Sequence, residues 1–284
     1  MDQRIIQLYD EYTHRPLTRE QFLKGLIALT GSAAAATTIL PLLEGNYQVA
    51  ETIAENELYT ERVEYPSPFG TMKGYLAKPK TGNRFPAVIV IHENRGLNAH
   101  IEDVTRRVAA AGYLALAPDG LSPLGGTPSN EDEARQLFPQ LKAEENTARF
   151  GAAVPYLNKR ADCAGSVGAV GFCWGGAMAN QLAVTVPELK AAVAYYGRQP
   201  DAAQVSAIKA AVQLHYAELD ERVNAGIANY EAALKANNIL YELYLYKGAQ
   251  HAFHNDTSSA RYNKEAATLA WSRTLAFFEK HLRT

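Results

Sequence analysis

From about residue 58 to the C-terminus, the sequence alternates short runs of β-forming residues with longer helical patterns. This alternation is typical of βαβ units arranged around a parallel sheet. One run, residues 87–91, is apolar at every position, which indicates a strand buried on both faces. The sequence therefore predicts an α/β fold with a mostly parallel central sheet flanked by helices.

The other predicted elements place a functional site at one edge of this sheet. Two extended runs around the Pro/Gly turn at 66–70 predict an antiparallel hairpin at the sheet edge. Further strands are predicted at 113–117, 167–171, 212–216 and 241–246, and helices at 101–111, 130–158, 177–186, 223–236 and 263–282. Because ligands bind outside the carboxyl ends of parallel strands, we expect the functional residues where these strands end.

The first 55 residues have a different pattern and predict a helical arm ahead of an α/β domain at 56–284. Helices are expected at 2–14 and 18–43, with Thr18 and Gln21 forming a capping box. We predict that the arm packs on the body or on a second subunit, as in a homodimer, and that the protein is cytoplasmic. The alternative is periplasmic export, since 25–43 resembles the apolar part of a twin-arginine signal. In this sequence, however, Thr18-Arg19-Glu20 stands where two arginines would be expected.

Composition makes several classes of function improbable. A net charge of -2 gives no field that would attract nucleic acid or an anionic membrane, and Thr, Ser and Gly interrupt 25–43 too often for a membrane span. The two cysteines, Cys163 and Cys173, belong to no CxxC pair and no zinc-ligand spacing, so two free thiols and no metal are predicted. No phosphate-binding loop or dinucleotide fingerprint is present either, and no cofactor is predicted.

The segment Gly171-Phe-Cys-Trp-Gly175 matches the nucleophile-elbow pattern G-x-S-x-G with sulfur in place of oxygen. It stands between a predicted strand and a predicted helix, which is the context that the motif requires. The helix N-terminus behind Cys173 favours a thiolate. We predict that Cys173 is a nucleophile; the alternative is a buried structural cysteine.

A thiol nucleophile needs a base and an acid, which follow it in the chain order of this motif. Asp220 follows a predicted strand and is the expected acid, with Glu218 and Glu221 as nearby alternatives. His251, after the Gly-Ala turn that follows the last strand, is the expected base, and His254 is the alternative. The acid would orient the imidazole, which would take the thiol proton.

Four motifs, in this order, resemble the dienelactone hydrolase family of α/β-hydrolases over about residues 58–282. They are His92-Glu-Asn-Arg-Gly96, Gly171-Phe-Cys-Trp-Gly-Gly176, the Asp220 loop and Gly248-Ala-Gln-His-Ala-Phe253. The resemblance implies the α/β-hydrolase fold and a triad of Cys173, Asp220 and His251. It also implies that Glu93 holds the resting thiol, the alternative being a carboxylate that is hydrogen-bonded to a loop. The backbone N–H groups of Trp174 and Asn94 would form an oxyanion hole. The role of His92, structural or supporting the site, is left open.

The sequence departs from the family where its type members bind a substrate carboxylate with arginine. No arginine follows His251 closely, so Arg95, Arg261 and Tyr262 are the candidates for substrate binding, and an exposed surface position is the alternative for each. The predicted function is hydrolysis of a small ester or lactone through an acyl-cysteine. The alternatives are a thioesterase of the same fold, a non-catalytic receptor for a small ligand, and a structural protein that functions through its arm.

Overall fold

The computed structural model describes residues 1–14, 17–44 and 57–283. Eight strands form one sheet in the order β1-β2-β4-β3-β5-β6-β7-β8. β1 and β2 form the predicted antiparallel hairpin, β2 pairs antiparallel with β4, and the remaining strands are parallel. The strands are β1 Leu58–Ser67, β2 Gly70–Pro79, β3 Phe85–Ile91, β4 Leu114–Pro118, β5 Cys163–Phe172, β6 Ala191–Tyr195, β7 Ala211–Ala217 and β8 Tyr241–Tyr246. The mostly parallel sheet confirms the predicted fold class.

The strand β3 shows why the sheet is covered on both faces. Every residue of β3 is buried, but alternate side chains enter different cores: Ile89 and Ile91 belong to one, and Val88 and Val90 to the other. This alternation follows from the two-residue period of a strand. Two helical layers therefore enclose the sheet and leave its carboxyl edge for the site.

The described helices differ from the predicted ones mainly where a long pattern is interrupted. They are α1 Gln3–His14, α2 Arg19–Thr30, α3 Ala33–Leu43, α4 Ala99–Ala110, α5 Glu131–Leu137, α6 Ala143–Gly151, α7 Ala153–Asn158, α8 Trp174–Thr185, α9 Glu221–Asn224, α10 Ile227–Ala236 and α11 Lys264–Leu282. The predicted helices at 18–43, 130–158 and 223–236 are each divided. In the arm the division has a local cause, since Gly31 adopts φ 79° to end α2 and the Ser32 side chain caps α3. The expected capping box of Thr18 and Gln21 is confirmed.

The three N-terminal helices pack on the body of their own chain. Tyr12 and Phe22 stack with ring centroids 4.5 Å apart inside the small core of the arm. The Tyr12 hydroxyl donates to Asp132 at 2.5 Å, and the guanidinium of Arg135 lies 4.3 Å from the Tyr12 ring centroid. The predicted domain boundary between residues 55 and 56 lies outside the described residues, and packing on a second subunit stays a prediction.

Within the described parts of the chain, a single helix long and apolar enough to cross a membrane is not found. The pair α2 and α3 meets the length and composition criteria only when the two helices are taken together, and they are bent by 115° relative to each other.

Candidate active site

Cys173 occupies the sharp turn between β5 and α8. Its backbone has φ 55° and ψ −112°, a conformation that side-chain-bearing residues rarely adopt. The Cys173 N–H donates to the carbonyl of Tyr195 at 3.0 Å, which ties the turn to the neighbouring strand β6. The strained geometry agrees with a nucleophile elbow, which holds its central side chain above the carboxyl edge of the sheet.

Glycine is required around this turn because backbones approach each other closely. A Cβ at Gly171 would collide with the carbonyl of Gly175 across the turn. A Cβ at Gly176 would lie 2.6 Å from the carbonyl oxygen of Tyr195. Neither obstacle is a flexible side chain, so these glycines allow the elbow to form.

Asp220 and His251 are brought together as the sequence predicts. Asp220 follows β7 and caps α9, where its Oδ1 accepts from the Val223 N–H at 3.2 Å. Its Oδ2 lies 2.5 Å from Nδ1 of His251, in the turn after β8. Both side chains are buried. This contact fixes the proton on Nδ1 of His251 and leaves its Nε2 lone pair within 4.8 Å of the Cys173 sulfur.

A second histidine, His14, contacts the thiol and was not found by sequence reasoning. Its Nε2 lies 3.1 Å from Sγ of Cys173, a residue 159 positions away. Its Nδ1 lies 2.8 Å from the backbone carbonyl of Asp10 and 3.1 Å from the Asp10 carboxylate. His14 ends α1 and belongs to no motif, so only the docking of the arm reveals its position.

The charges around the thiol favour its ionised form. Burial alone would raise the pKa of Cys173, but His14 and His251 outweigh it and lower that pKa to about 6. Burial would lower the pKa of His251, yet Asp220, the thiolate of Cys173 and Asp10 raise it well above its usual value. The pKa of His14 is also raised against burial, by Cys173 and Asp10. The resting site therefore favours a thiolate beside an imidazolium.

Glu93 has other partners than the predicted one. Its carboxylate accepts from Asn255 Nδ2 at 2.9 Å and from the Tyr196 hydroxyl at 3.4 Å. The described hydrogen bond of the Cys173 thiol goes to His14 instead, because the end of α1 enters the site. The structure thus differs from the expectation that Glu93 holds the resting thiol, although Glu93 still lines the same cavity.

The residues expected around the oxyanion lie at the site. Trp174 follows Cys173 directly, and its ring stacks on His92 with centroids 5.3 Å apart. His92 contacts the Glu93 carbonyl through Nδ1 at 2.7 Å and accepts from the Gly120 N–H through Nε2 at 2.9 Å, so it braces two loops as a neutral ring. Burial lowers the pKa of His92, in agreement with this neutral form. The oxyanion role of the Trp174 and Asn94 N–H groups stays a prediction.

Two of the three candidate substrate-binding residues line the site. Arg95 and Arg261 are buried and face the cavity at Cys173, which is not the exposed position that was the alternative. Arg261 also covers the Tyr9 ring of α1, 4.9 Å from its centroid. Tyr262 instead packs against the core next to α11 and does not belong to the described cavity lining.

The alternative acids and base lie in other environments. Glu218 is exposed and accepts from the Gly248 N–H at 2.7 Å, and Glu221 is exposed at the start of α9. His254 stacks on Phe172 with centroids 5.0 Å apart, and burial lowers its pKa to about 3. A core ring with so low a pKa is a poor proton acceptor near neutral pH.

The cavity beside the thiol is very small in this conformation. It has a volume of about 20 Å³, room for roughly one water molecule. Tyr9, Thr13 and His14 of α1 form one wall, and the Asn94 side chain donates to the Thr13 carbonyl at 2.6 Å. A groove of about 1490 Å³ lies between α6, α7 and α8, and its described lining includes Trp174 but not Cys173, Asp220 or His251. The arm therefore closes the cavity beside the Cys173 thiol.

A strand-turn-helix elbow that carries a buried thiol, with an acid after β7 and a histidine after β8, defines an α/β-hydrolase. The chain order of thiol, acid and histidine and the sheet of eight described strands agree with this class.

Comparisons with known proteins identify the family within this class. Residues 72–282 match the model of the dienelactone hydrolase family. A Synechocystis protein named "Putative carboxymethylenebutenolidase" is 30% identical over 80% of this chain and 99% of its own length. The Escherichia coli "Putative hydrolase fragment YghX" is 51% identical over 37% of this chain and 95% of its own. A crystal structure titled as a putative dienelactone hydrolase from Klebsiella pneumoniae superposes with a TM-score of 0.72 at 29% identity, and covers 80% of this chain and all of that one. The chain belongs to the dienelactone hydrolase family, and it is a hydrolase.

Proposed function

We propose that this hydrolase cleaves the ester or lactone bond of a small molecule through a covalent acyl-cysteine at Cys173. The observation that carries the proposal is the thiol on its strained elbow beside a buried His251–Asp220 pair. A pure binding protein needs neither a thiol nor a base and acid in register with it. The relatives named as carboxymethylenebutenolidases support a lactone or ester as the substrate.

The reaction follows from the proton positions. Asp220 holds the Nδ1 proton of His251, whose Nε2 accepts the thiol proton of Cys173. The thiolate attacks the substrate carbonyl carbon, and the Trp174 and Asn94 N–H groups would donate to the oxyanion that forms. His251 then gives its proton to the departing alkoxide. Water, deprotonated by the same imidazole, attacks the thioester and releases the acid and the thiol.

Two arginines indicate a substrate that carries a negative charge. Arg95 and Arg261 line the cavity at Cys173 from different loops. Glu131 and Glu93 also line it, so the arginines are partly balanced by nearby carboxylates. We propose an ester or lactone with a carboxylate placed toward these arginines.

Substrate access requires movement of α1. The closed cavity of about 20 Å³ is far smaller than the roughly 300 Å³ or more that small-molecule sites usually offer. Because His14, Thr13 and Tyr9 form the wall that faces the thiol, displacement of this end of α1 enlarges the site without moving the triad.

The test is intact-protein mass spectrometry of the full chain mixed with p-nitrophenyl esters and small lactones, with product release followed in parallel. We expect a transient acyl adduct on the wild type. The Cys173→Ser variant should form no adduct or keep it much longer, and its turnover should be reduced. Cys163→Ser is the matched control, since Cys163 is also buried and free but starts β5 away from the site. Full turnover by the Cys173→Ser variant would show that Cys173 is not the nucleophile.

A further inference from the structure

Three potential metal-binding atoms from distant parts of the chain meet at the active site. Nε2 of His14, Sγ of Cys173 and Nε2 of His251 all lie within 4.8 Å of one another. Cys173 and His251 are buried and His14 is partly buried, and their spacing along the chain gives no metal-ligand motif. For this reason the sequence predicted no metal, and only the docked arm creates the cluster.

The hydrogen bonds of both imidazoles direct their lone pairs inward. Nδ1 of His14 faces the carbonyl and the carboxylate of Asp10, so it carries a proton and donates. Nδ1 of His251 donates in the same way to Asp220. A ligating histidine in a metalloprotein typically donates its second ring N–H to a carboxylate or carbonyl, which fixes the tautomer and raises the basicity of the ligand. Both histidines already have this arrangement.

One proton cannot satisfy these three atoms. When both imidazoles are neutral, the two inward lone pairs and the sulfur share only the proton of the thiol, whether it stays on Cys173 or moves to one imidazole. The described contacts give that hydrogen bond to His14 and Cys173, while the buried Nε2 of His251 has no hydrogen-bond partner in the described structure. A buried polar atom without a partner costs about 1–3 kcal/mol.

We propose that His14, Cys173 and His251 bind a zinc ion when the arm is closed, with water as the fourth ligand. Two imidazoles and a thiolate are ligands that Zn²⁺ prefers. Zn–S and Zn–N bonds of about 2.3 and 2.0–2.1 Å at a tetrahedral angle place sulfur and nitrogen about 3.6 Å apart. Sγ of Cys173 and Nε2 of His14 are 3.1 Å apart, so this pair must widen by about half an ångström. The separations that involve His251 lie within 4.8 Å and must contract to about 3.4–3.6 Å for the ion to bind all three atoms.

Zinc at this position would link His14 of the arm to Cys173 and His251, the two residues that react in the proposed hydrolysis. The ion occupies the Nε2 lone pair of His251 and the thiolate, which are the base and nucleophile of the proposed reaction. It also holds His14 against the site, so hydrolysis stops until the ion is removed. This consequence for activity rests on the proposed function, whereas the binding of the ion does not. Binding displaces the protons that the Cys173 thiol and the two inward imidazole nitrogens hold, because the ion takes the electron pairs that bind them.

The experiment titrates the metal-free full chain with Zn²⁺ against a chromophoric chelator. We expect the wild type to bind one ion per chain with high affinity. The affinity should be lower by at least about 100-fold in His14→Gln, Cys173→Ser and His251→Gln. Loss of a ligand should exceed the 10- to 100-fold effect of losing a residue that only supports a ligand. His281→Gln and Cys163→Ser are the matched controls and should bind like the wild type. Equal affinity in His14→Gln, or no stoichiometric binding by the wild type, would overturn the proposal.

A spectroscopic measurement on the wild type guards against variants that fail to fold. Co²⁺ in place of Zn²⁺ should give a thiolate-to-cobalt charge-transfer band and the intense visible bands of tetrahedral coordination. An octahedral spectrum without a thiolate band would contradict the site. Absence of ester turnover by the metal-free chain, together with an intact cobalt spectrum after loading, would refute the proposed function alone. Ester turnover by a chain that binds neither Co²⁺ nor Zn²⁺ would refute the zinc site alone.

Discussion

The two aspartates that hold the two active-site histidines should differ greatly in their effect on catalysis. In Asp220→Asn, the amide can donate to Nδ1 of His251, so the proton moves to Nε2 and the lone pair that faces the thiol is lost. The hydrogen bond that is reversed in direction is a buried one of 2.5 Å. The corresponding change in a serine-protease triad lowers kcat by about 10⁴. We expect a fall in kcat of about 10³ to 10⁴, which is about 4–5.5 kcal/mol of transition-state stabilisation.

In Asp10→Asn, the tautomer of His14 should survive. The backbone carbonyl of Asp10, 2.8 Å from Nδ1 of His14, remains as an acceptor after the carboxylate is removed. The variant also weakens the contact of Asp10 with Arg222 across the arm interface. We therefore expect kcat to stay within about tenfold of the wild type. The two charge contacts of the Asp10 carboxylate, with His14 and with Arg222, involve partly exposed side chains, and their loss has a small energetic effect.

The assay is steady-state and single-turnover hydrolysis of a p-nitrophenyl ester at saturating concentration. Glu218→Gln is the control, because Glu218 lies on the same loop as Asp220 but is exposed. The assignment of His251 as the base would be refuted if Asp10→Asn lost activity as severely as Asp220→Asn, or if Asp220→Asn kept more than about a tenth of the wild-type kcat.

Three further predictions concern the thiol, the elbow and the arm. The thiolate absorbance in the far ultraviolet, taken as the difference between the wild type and Cys173→Ser, should titrate with a midpoint near pH 6. Since the pKa of Cys173 is lowered, the thiolate is present above that pH and lost below it. A midpoint near pH 9 would contradict the proposed charge cluster. Gly171→Ala should abolish hydrolysis and lower the free energy of unfolding by about 3 kcal/mol or more, because its Cβ meets backbone. In the control Gly151→Ala, the Cβ meets only the movable side chains of Val186 and Leu182, and activity should stay intact. Asp132→Asn should speed alkylation of Cys173 about 5- to 30-fold, because the weakened contacts with Tyr12 and Arg19 favour arm opening by about 1–2 kcal/mol; an unchanged alkylation rate would show that the arm does not shield the thiol.

The sequence predicted the parts of the site that strand ends and local turns determine. Cys173, Asp220 and His251 each follow a strand, so the parallel order of the sheet brings their side chains to one edge. Strand β6 was missed because Ala191-Ala-Val-Ala-Tyr195 is rich in alanine, which has no strand preference of its own; burial between β5 and β7 makes it a strand.

The part that could not be predicted depends on docking between distant segments. The position of His14 follows from how the arm packs on Asp132 and Arg135 and from the entry of α1 above the thiol. A histidine at the end of an amphipathic helix has no pattern that distinguishes it from a solvated one. The same docking places His14 on the thiol, which is the position that the family resemblance assigns to Glu93.

The C-terminal end of α1 occupies the space beside the thiol and therefore acts as an intramolecular competitor of the substrate. A tethered competitor of this kind has an effective concentration set by its linker, so diluting the protein does not relieve it. A substrate must compete with the arm, and its apparent affinity is reduced by the fraction of molecules that are open. If one molecule in about a hundred is open, the apparent affinity falls about 100-fold. Kinetically this raises KM and leaves kcat unchanged, and a free peptide with the sequence of residues 1–14 would inhibit an arm-displaced variant in trans.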